Sequence, residues 1–156
     1  MALPELMRGF DAYRATGAAL AIPYYLGLLG DALIQTGTHA EAKSVLGNAL
    51  AIAERSDERC QEAELYRLEG ELAWSEGKAP IEVEASFLRA IGTARKQQSK
   101  AWELRASTSL ARLYQRLNRR DQARAILGEA LDCFTEGFGT PDLRDARRLL
   151  EELRAG

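Results

Sequence analysis

Apolar and small residues recur along this chain at spacings of three and four, which places them on one face of an α-helix and predicts helices through most of its length. The stretch 36–56, TGTHAEAKSVLGNALAIAERS, and the stretch 117–137, LNRRDQARAILGEALDCFTEG, share one pattern. Ala42, Leu46, Ala49 and Leu50 fall on Ala123, Leu127, Ala130 and Leu131. Midway between them, IEVEASFLRAIGTAR repeats the pattern with Val83, Phe87, Ala90 and Ile91. The period is about forty residues, and a fixed period of that length marks a tandem array rather than a single irregular core.

A second helix precedes each of these, in YYLGLLGDALIQTG, LYRLEGELAWSEG and STSLARLYQRLN, where Gly30, Gly70 and Ala111 correspond. Side chains that small let two helix backbones approach where they cross. Ala42, Ala49, Ala90, Ala123 and Ala130 do the same from the partner helix. Gly37, Gly77 and Asn118 follow the first helix of each pair. A residue that tolerates the left-handed region ends a helix there at low steric cost. Each unit is therefore helix, turn, helix, and the fold class is all-α.

The two ends differ from the middle. Counting back by the same offsets, Leu6, Gly9, Phe10 and Tyr13 take positions equivalent to Leu46, Ala49, Leu50 and Ala53, so the chain opens with a second helix that lacks its first. Such a helix is expected to expose Leu6, Phe10 and Tyr13. That implies a piece of a longer array, or a homodimer that covers the face. At the other end Thr140 and Pro141 supply a cap and a first-turn proline. Leu143, Ala146, Leu150 and Leu153 give the last helix one apolar stripe, as a terminal cap requires. The expected organisation is a single domain over 1–156: an unpaired helix at 2–16, repeats at 20–56, 59–97 and 99–136, and a capping helix at 140–154.

The pattern resembles the tetratricopeptide repeat. Gly30 stands at the small position of that repeat's first helix, and Ala42, Leu46 and Ala49 match the alanine-x-x-x-large-x-x-alanine of its second. Ala111, Leu127 and Ala130 match in the third copy. Two features depart from it: the period is nearer 40 than 34, and Val83 replaces the first alanine in the second copy. The resemblance implies a right-handed superhelix of antiparallel helix pairs, a solenoid of about eight helices. The segments YRATGAALAIPYYLGLLGDAL, AELYRLEGEL, RKQQSKAWELRASTSLARLYQ and FTEGFGTPDLRDARRLLEEL are also similar in overall wording to the C-terminal repeat region of large bacterial signalling proteins, which carry a nucleotide cyclase or signalling NTPase ahead of the repeats. That likeness implies a regulatory or scaffolding tail, or a fragment of a protein whose cyclase or ATPase part lies elsewhere.

In such arrays the first helices of successive units line a concave groove that binds a protein or peptide partner. At the groove-facing positions the resemblance places Tyr24, Asp31 and Gln35 in the first repeat, and Arg67, Glu71 and Trp74 in the second. Arg105, Thr108, Arg112, Gln115 and Arg116 follow in the third. The surface would run from neutral and acidic to basic, and an acidic or C-terminal peptide could pair with Arg105 and Arg112. Trp74 is expected at this interface or between helices, and Trp102 in the core. Gly27, Asp31 and Ile34 do not match the set with which related domains clamp chaperone tails.

Composition narrows the function further. The 46% hydrophobic and 28% charged residues are ordinary for a globular protein. The 21 basic and 23 acidic side chains nearly cancel, which leaves no overall bias toward nucleic acid or an anionic membrane. No apolar run approaches the roughly 20 residues a membrane span needs. The opening MALPELMRGFDAYR lacks a signal core, so a cytoplasmic location is expected. Cys60 and Cys133 have no CxxC or Cys/His spacing; both are expected as partly buried helix residues, without disulfide or metal.

The chain offers little that points to catalysis. His39, the single histidine, falls at a helix start and suits a surface or capping role. Gly77-Lys78-Ala79 fails as a phosphate loop: six residues separate Gly70 from Gly77 where four are needed, and Ala79 has no hydroxyl. Glu62, Glu64, Glu69 and Glu71 read as solvated helix surface rather than as a paired acid and base. Arg112, Arg116, Arg119, Arg120 and Arg124 lack an aromatic ladder and are diluted by Asp121 and Glu129, which favours a solvated face over nucleic-acid binding. The expectation is a non-catalytic module without cofactor.

Overall fold

The computed structural model describes residues 3–17, 21–56, 59–137 and 139–155. Among them lie eight α-helices and no strand: α1 (Leu3–Ala15), α2 (Ile22–Gln35), α3 (His39–Ser56), α4 (Glu62–Ser75), α5 (Pro80–Lys96), α6 (Lys100–Arg116), α7 (Arg120–Asp132) and α8 (Pro141–Ala155). A short 3₁₀ turn, Arg59–Gln61, leads into α4. Each helix packs on the next, and α2 also meets α4, α4 meets α6 and α6 meets α8. The even-numbered helices therefore form one layer of a TPR-like solenoid, backed by α3, α5 and α7.

The small positions hold the pairs together. A Cβ on Gly30 would stand 2.6 Å from Leu46 Cδ2, and one on Gly70 would stand 2.6 Å from Phe87 Cε1. Real Cβ contacts are never that close, so the glycines set the helix separation and the large residue of the partner helix fills the space. In the third pair Ala111 and Leu127 are both fully buried in one cluster. The turns share one hydrogen-bond pattern. Gly37 and Gly77, at φ 76° and 71°, and Asn118 at φ 60° close α2, α4 and α6. In each, the next amide reaches back five residues, as Thr38 N–H does to Leu33 O at 2.9 Å and Arg119 N–H to Tyr114 O at 2.8 Å. Gln98 ends α5 in the same way at φ 53°, with Ser99 N–H donating to Ala94 O at 2.9 Å. Nothing in its residue type announced it.

Two apolar clusters fill the interior. One joins Leu6, Leu26, Leu29, Leu33, Leu46 and their neighbours in α1 to α4; the other runs from Val83 and Phe87 to Leu153. Helix α4 faces both, with Leu65, Leu68 and Leu72 in the first, and Tyr66, Ala73 and Trp74 against the second.

Two expectations are corrected. Leu6, Phe10 and Tyr13 are not an exposed face: Leu6 is buried, and the Phe10 and Tyr13 rings lie 6.3 and 4.8 Å from that of Tyr25. Helix α1 turns its apolar side onto α2, so α2 itself covers it. Cys60 and Cys133 are exposed rather than partly buried, because one sits in the 3₁₀ turn and the other at the C-terminal cap of α7.

Candidate partner-binding surface

Three adjoining clefts run along the layer of even-numbered helices. The first lies between α2, α4 and the start of α6, with Tyr24, Asp31, Leu65, Trp102 and Arg105 among its lining. The second, between α4, α6 and α8, is bordered by Arg67, Thr108, Ser109, Arg112, Asp142 and Asp145. The third carries Trp74, Gln115, Arg116, Arg148 and Glu152. The heptad-like spacing of first-helix positions puts these side chains on one stripe per helix, and stacking sets the stripes side by side.

The floor of this surface is an ion-pair network centred on Arg67, which is only 7% exposed. Its Nε and Nη2 donate to the two oxygens of Glu64 at 2.9 and 2.8 Å, and its Nη1 donates to Glu71 Oε1 at 3.0 Å. Ser109 Oγ donates to that same Glu71 oxygen at 2.6 Å. Burial alone would lower the Arg67 pKa; the hydrogen bonds and charge of Glu64, with Glu71 and Asp31 behind it, outweigh this and hold it above the ordinary arginine value. Arg105 pairs with Glu64 at 2.9 Å and lies 4.0 Å from Asp142. Asp145 accepts from Arg112 and, at 2.9 Å, from Arg148.

These contacts change the charge reading of the groove. Arg105 and Arg112 carry carboxylate partners of their own, Glu64 and the carboxylates of α8, so the groove is less basic than the sequence alone suggests. Glu64 and Glu71 are not solvated surface but acceptors for Arg67. Glu69 also departs from that picture: burial raises its pKa, opposed by the charge of Arg89. Trp102 is not core; it is half-buried at the first cleft, where its Nε1 donates to Cys60 O at 3.1 Å and the Arg105 guanidinium lies 5.6 Å from its ring centre. Trp74 stands edge-on to Phe87 at 6.4 Å with Arg116 over its ring at 5.3 Å. Gln35 is exposed at the end of α2 and does not line the three clefts.

Arg119 and Arg124 of the arginine-rich stretch are likewise engaged. Arg119 donates to Glu84 at 2.7 Å while Tyr114 Oη donates to the same carboxylate at 2.7 Å, tying α5 to α6 and the start of α7. Arg124 pairs with Asp121. Sequence reasoning missed Glu64, Ser109, Asp142 and Asp145 as groove residues. Asp142, Asp145 and Arg148 recur at intervals of three beside the apolar stripe of α8, and that spacing was the available signal.

The model of the tetratricopeptide repeat matches residues 23–56 and 104–132. These segments are α2 with α3, and most of α6 with α7. Among curated proteins none matches the chain. The pair formed by α4 and α5, outside the matched segments, repeats the Gly30–Leu46 contact as Gly70–Phe87. Repeats of this family generally mediate contacts between proteins, and their fold is typically a non-catalytic interaction module. The chain is a tetratricopeptide-like array of helix pairs.

Proposed function

We propose that the chain is a non-catalytic interaction module that receives a peptide or domain on the surface formed by α2, α4, α6 and α8. The observation that carries this is the meeting of Tyr24, Asp31, Trp102, Arg105, Arg112, Trp74 and Arg116 along three contiguous clefts. Aromatic and arginine side chains give the most binding energy per contact when a partner desolvates them. The Arg67 network ties α4 to α6, so this part of the surface is ordered before a partner arrives. The similarity in wording to the repeat tails of bacterial signalling proteins supports a regulatory or scaffolding role within such a protein. A homodimer through Leu6, Phe10 and Tyr13 would first have to lift these side chains from α2.

Random-sequence peptides displayed on phage and selected against the chain test the proposal. Selected peptides should compete with one another and weaken on Tyr24→Ala or Arg116→Ala, with unfolding midpoints unchanged. Selected peptides indifferent to every substitution on this layer would overturn it.

A further inference from the structure

The first cleft has a chemistry of its own. Its floor, a shallow trough between α2 and α4, includes Gly27, Leu65 and Leu68; a Cβ on Gly27 would meet Leu65 Cδ2 at 3.4 Å. Tyr24, 40% exposed, stands at one end of the trough on α2. Asp31 lies two turns further along the same face of that helix. Trp102 forms the wall contributed by α6, its indole oriented by the bond to Cys60 O and partly covered by Arg105.

The charges around the trough are unequal. Asp31 and Glu64 line it as two carboxylates against one guanidinium group, Arg105. Glu64 is shared by Arg67 and Arg105, and Glu71 is held by Arg67. Asp31 makes no hydrogen bond or ion pair with any described residue and acts on Arg67 only through space. A half-buried carboxylate beside an apolar trough and an open aromatic ring matches a side chain with an apolar stem and a positive head. An acidic side chain would meet Asp31 and find Arg105 paired with Glu64.

Resting on the reading of this layer as the partner surface, we propose that the cleft between α2, α4 and α6 is a specificity pocket for a lysine or arginine side chain of the bound protein segment. The stem lies over Gly27 between Leu65 and Leu68, and the head pairs with Asp31 beside the Tyr24 ring.

The test is selection of random-sequence displayed peptides on the wild-type chain, followed by affinity measurement of synthetic copies on wild type, Asp31→Asn, Gly27→Ala and Arg116→Ala. Asp31→Asn preserves shape, and the alanine at 27 fills the trough at an ordinary contact distance. The expected result is enrichment of one basic position. Its contribution should fall about fivefold on Asp31→Asn, the upper range for a solvent-accessible ion pair, and should also fall on Gly27→Ala. In peptides whose basic residue is replaced by norleucine, Asp31→Asn should have no effect. Peptides enriched in acidic or apolar residues and indifferent to Asp31→Asn would overturn the pocket while leaving the partner surface standing. Failure to select any peptide that responds to substitutions on this layer would overturn both.

Discussion

Gly30, Gly70 and Gly47 show how one residue type serves different ends. Gly47 and Gly92 have open space where a Cβ would go, so Gly→Ala there gains helix propensity alone, about 0.5 to 1 kcal/mol. Gly70→Ala presses against the ring of the fully buried Phe87, and an aromatic ring in a packed core has no alternative rotamer to take. Overpacking of this kind costs about 1 to 3 kcal/mol. Urea unfolding of the three single variants should place Gly47→Ala and Gly92→Ala above wild type and Gly70→Ala below. At the end of α5, Gln98 holds φ 53° with a side chain attached. Gln98→Gly should stabilise the chain by about 1 kcal/mol, since the left-handed strain disappears. A midpoint equal to or below that of wild type would contradict the strain.

Helices α5, α6 and α7 meet at the Glu84 carboxylate, which accepts from Tyr114 and Arg119. The Arg119 hydrogen bond lowers the Glu84 pKa, so its contribution to stability is present above the unfolded pKa near 4.5 and is lost as pH falls through the folded value. Glu69 shifts the opposite way through burial, and the two therefore partly cancel in acid. The alkaline side is cleaner. Burial, then the hydrogen bond and charge of Glu84, push the Tyr114 phenol from 10.0 up to about 12. Through that window the unfolded chain loses the proton before the native one does, so stability falls as pH rises. Denaturant unfolding from neutral pH to about 12 should show a fall for wild type that is smaller in Tyr114→Phe. Parallel curves would mean that the phenol is not linked to folding.

The whole molecule is quasi-one-dimensional. Each helix touches its sequence neighbours, the even-numbered ones touch in series, and among the described residues α4 alone faces both apolar clusters. Energy in such an array is shared between neighbours, so a helix with fewer neighbours weakens before one packed on both sides. Leu153 in α8 is 1% exposed, and Leu153→Ala should cost about 2 to 4 kcal/mol. A lowered denaturant slope for this variant would show α8 detaching ahead of the rest, whereas an unchanged slope with a lower midpoint would show that α8 unfolds with its neighbours. Release of α8 would also free Arg105 and Arg112 from Asp142 and Asp145. Helix α8 thus takes part in setting the charge of the groove.

The repeat was legible in the sequence because packing demands are local and periodic. Small residues at Gly30, Gly70 and Ala111, large ones at Leu46, Phe87 and Leu127, and left-handed stops at Gly37, Gly77 and Asn118 recur at fixed offsets. Each offset reports a contact inside one helix pair, so helix number and pairing followed from residue type alone. The stripe of groove positions was also accessible, since it follows from the helical period. What each side chain there does was decided by tertiary structure. Arg105 and Arg112 looked free because their partners, Glu64, Asp142 and Asp145, lie on other helices at unrelated sequence distances. Leu6, Phe10 and Tyr13 looked uncovered because the repeat pattern assigns no partner to an opening helix, yet α1 folds onto Tyr25 of α2. Periodicity records the contacts that every repeat shares; charge pairing and the packing of ends arise from contacts made once, and those exist only when the chain is folded.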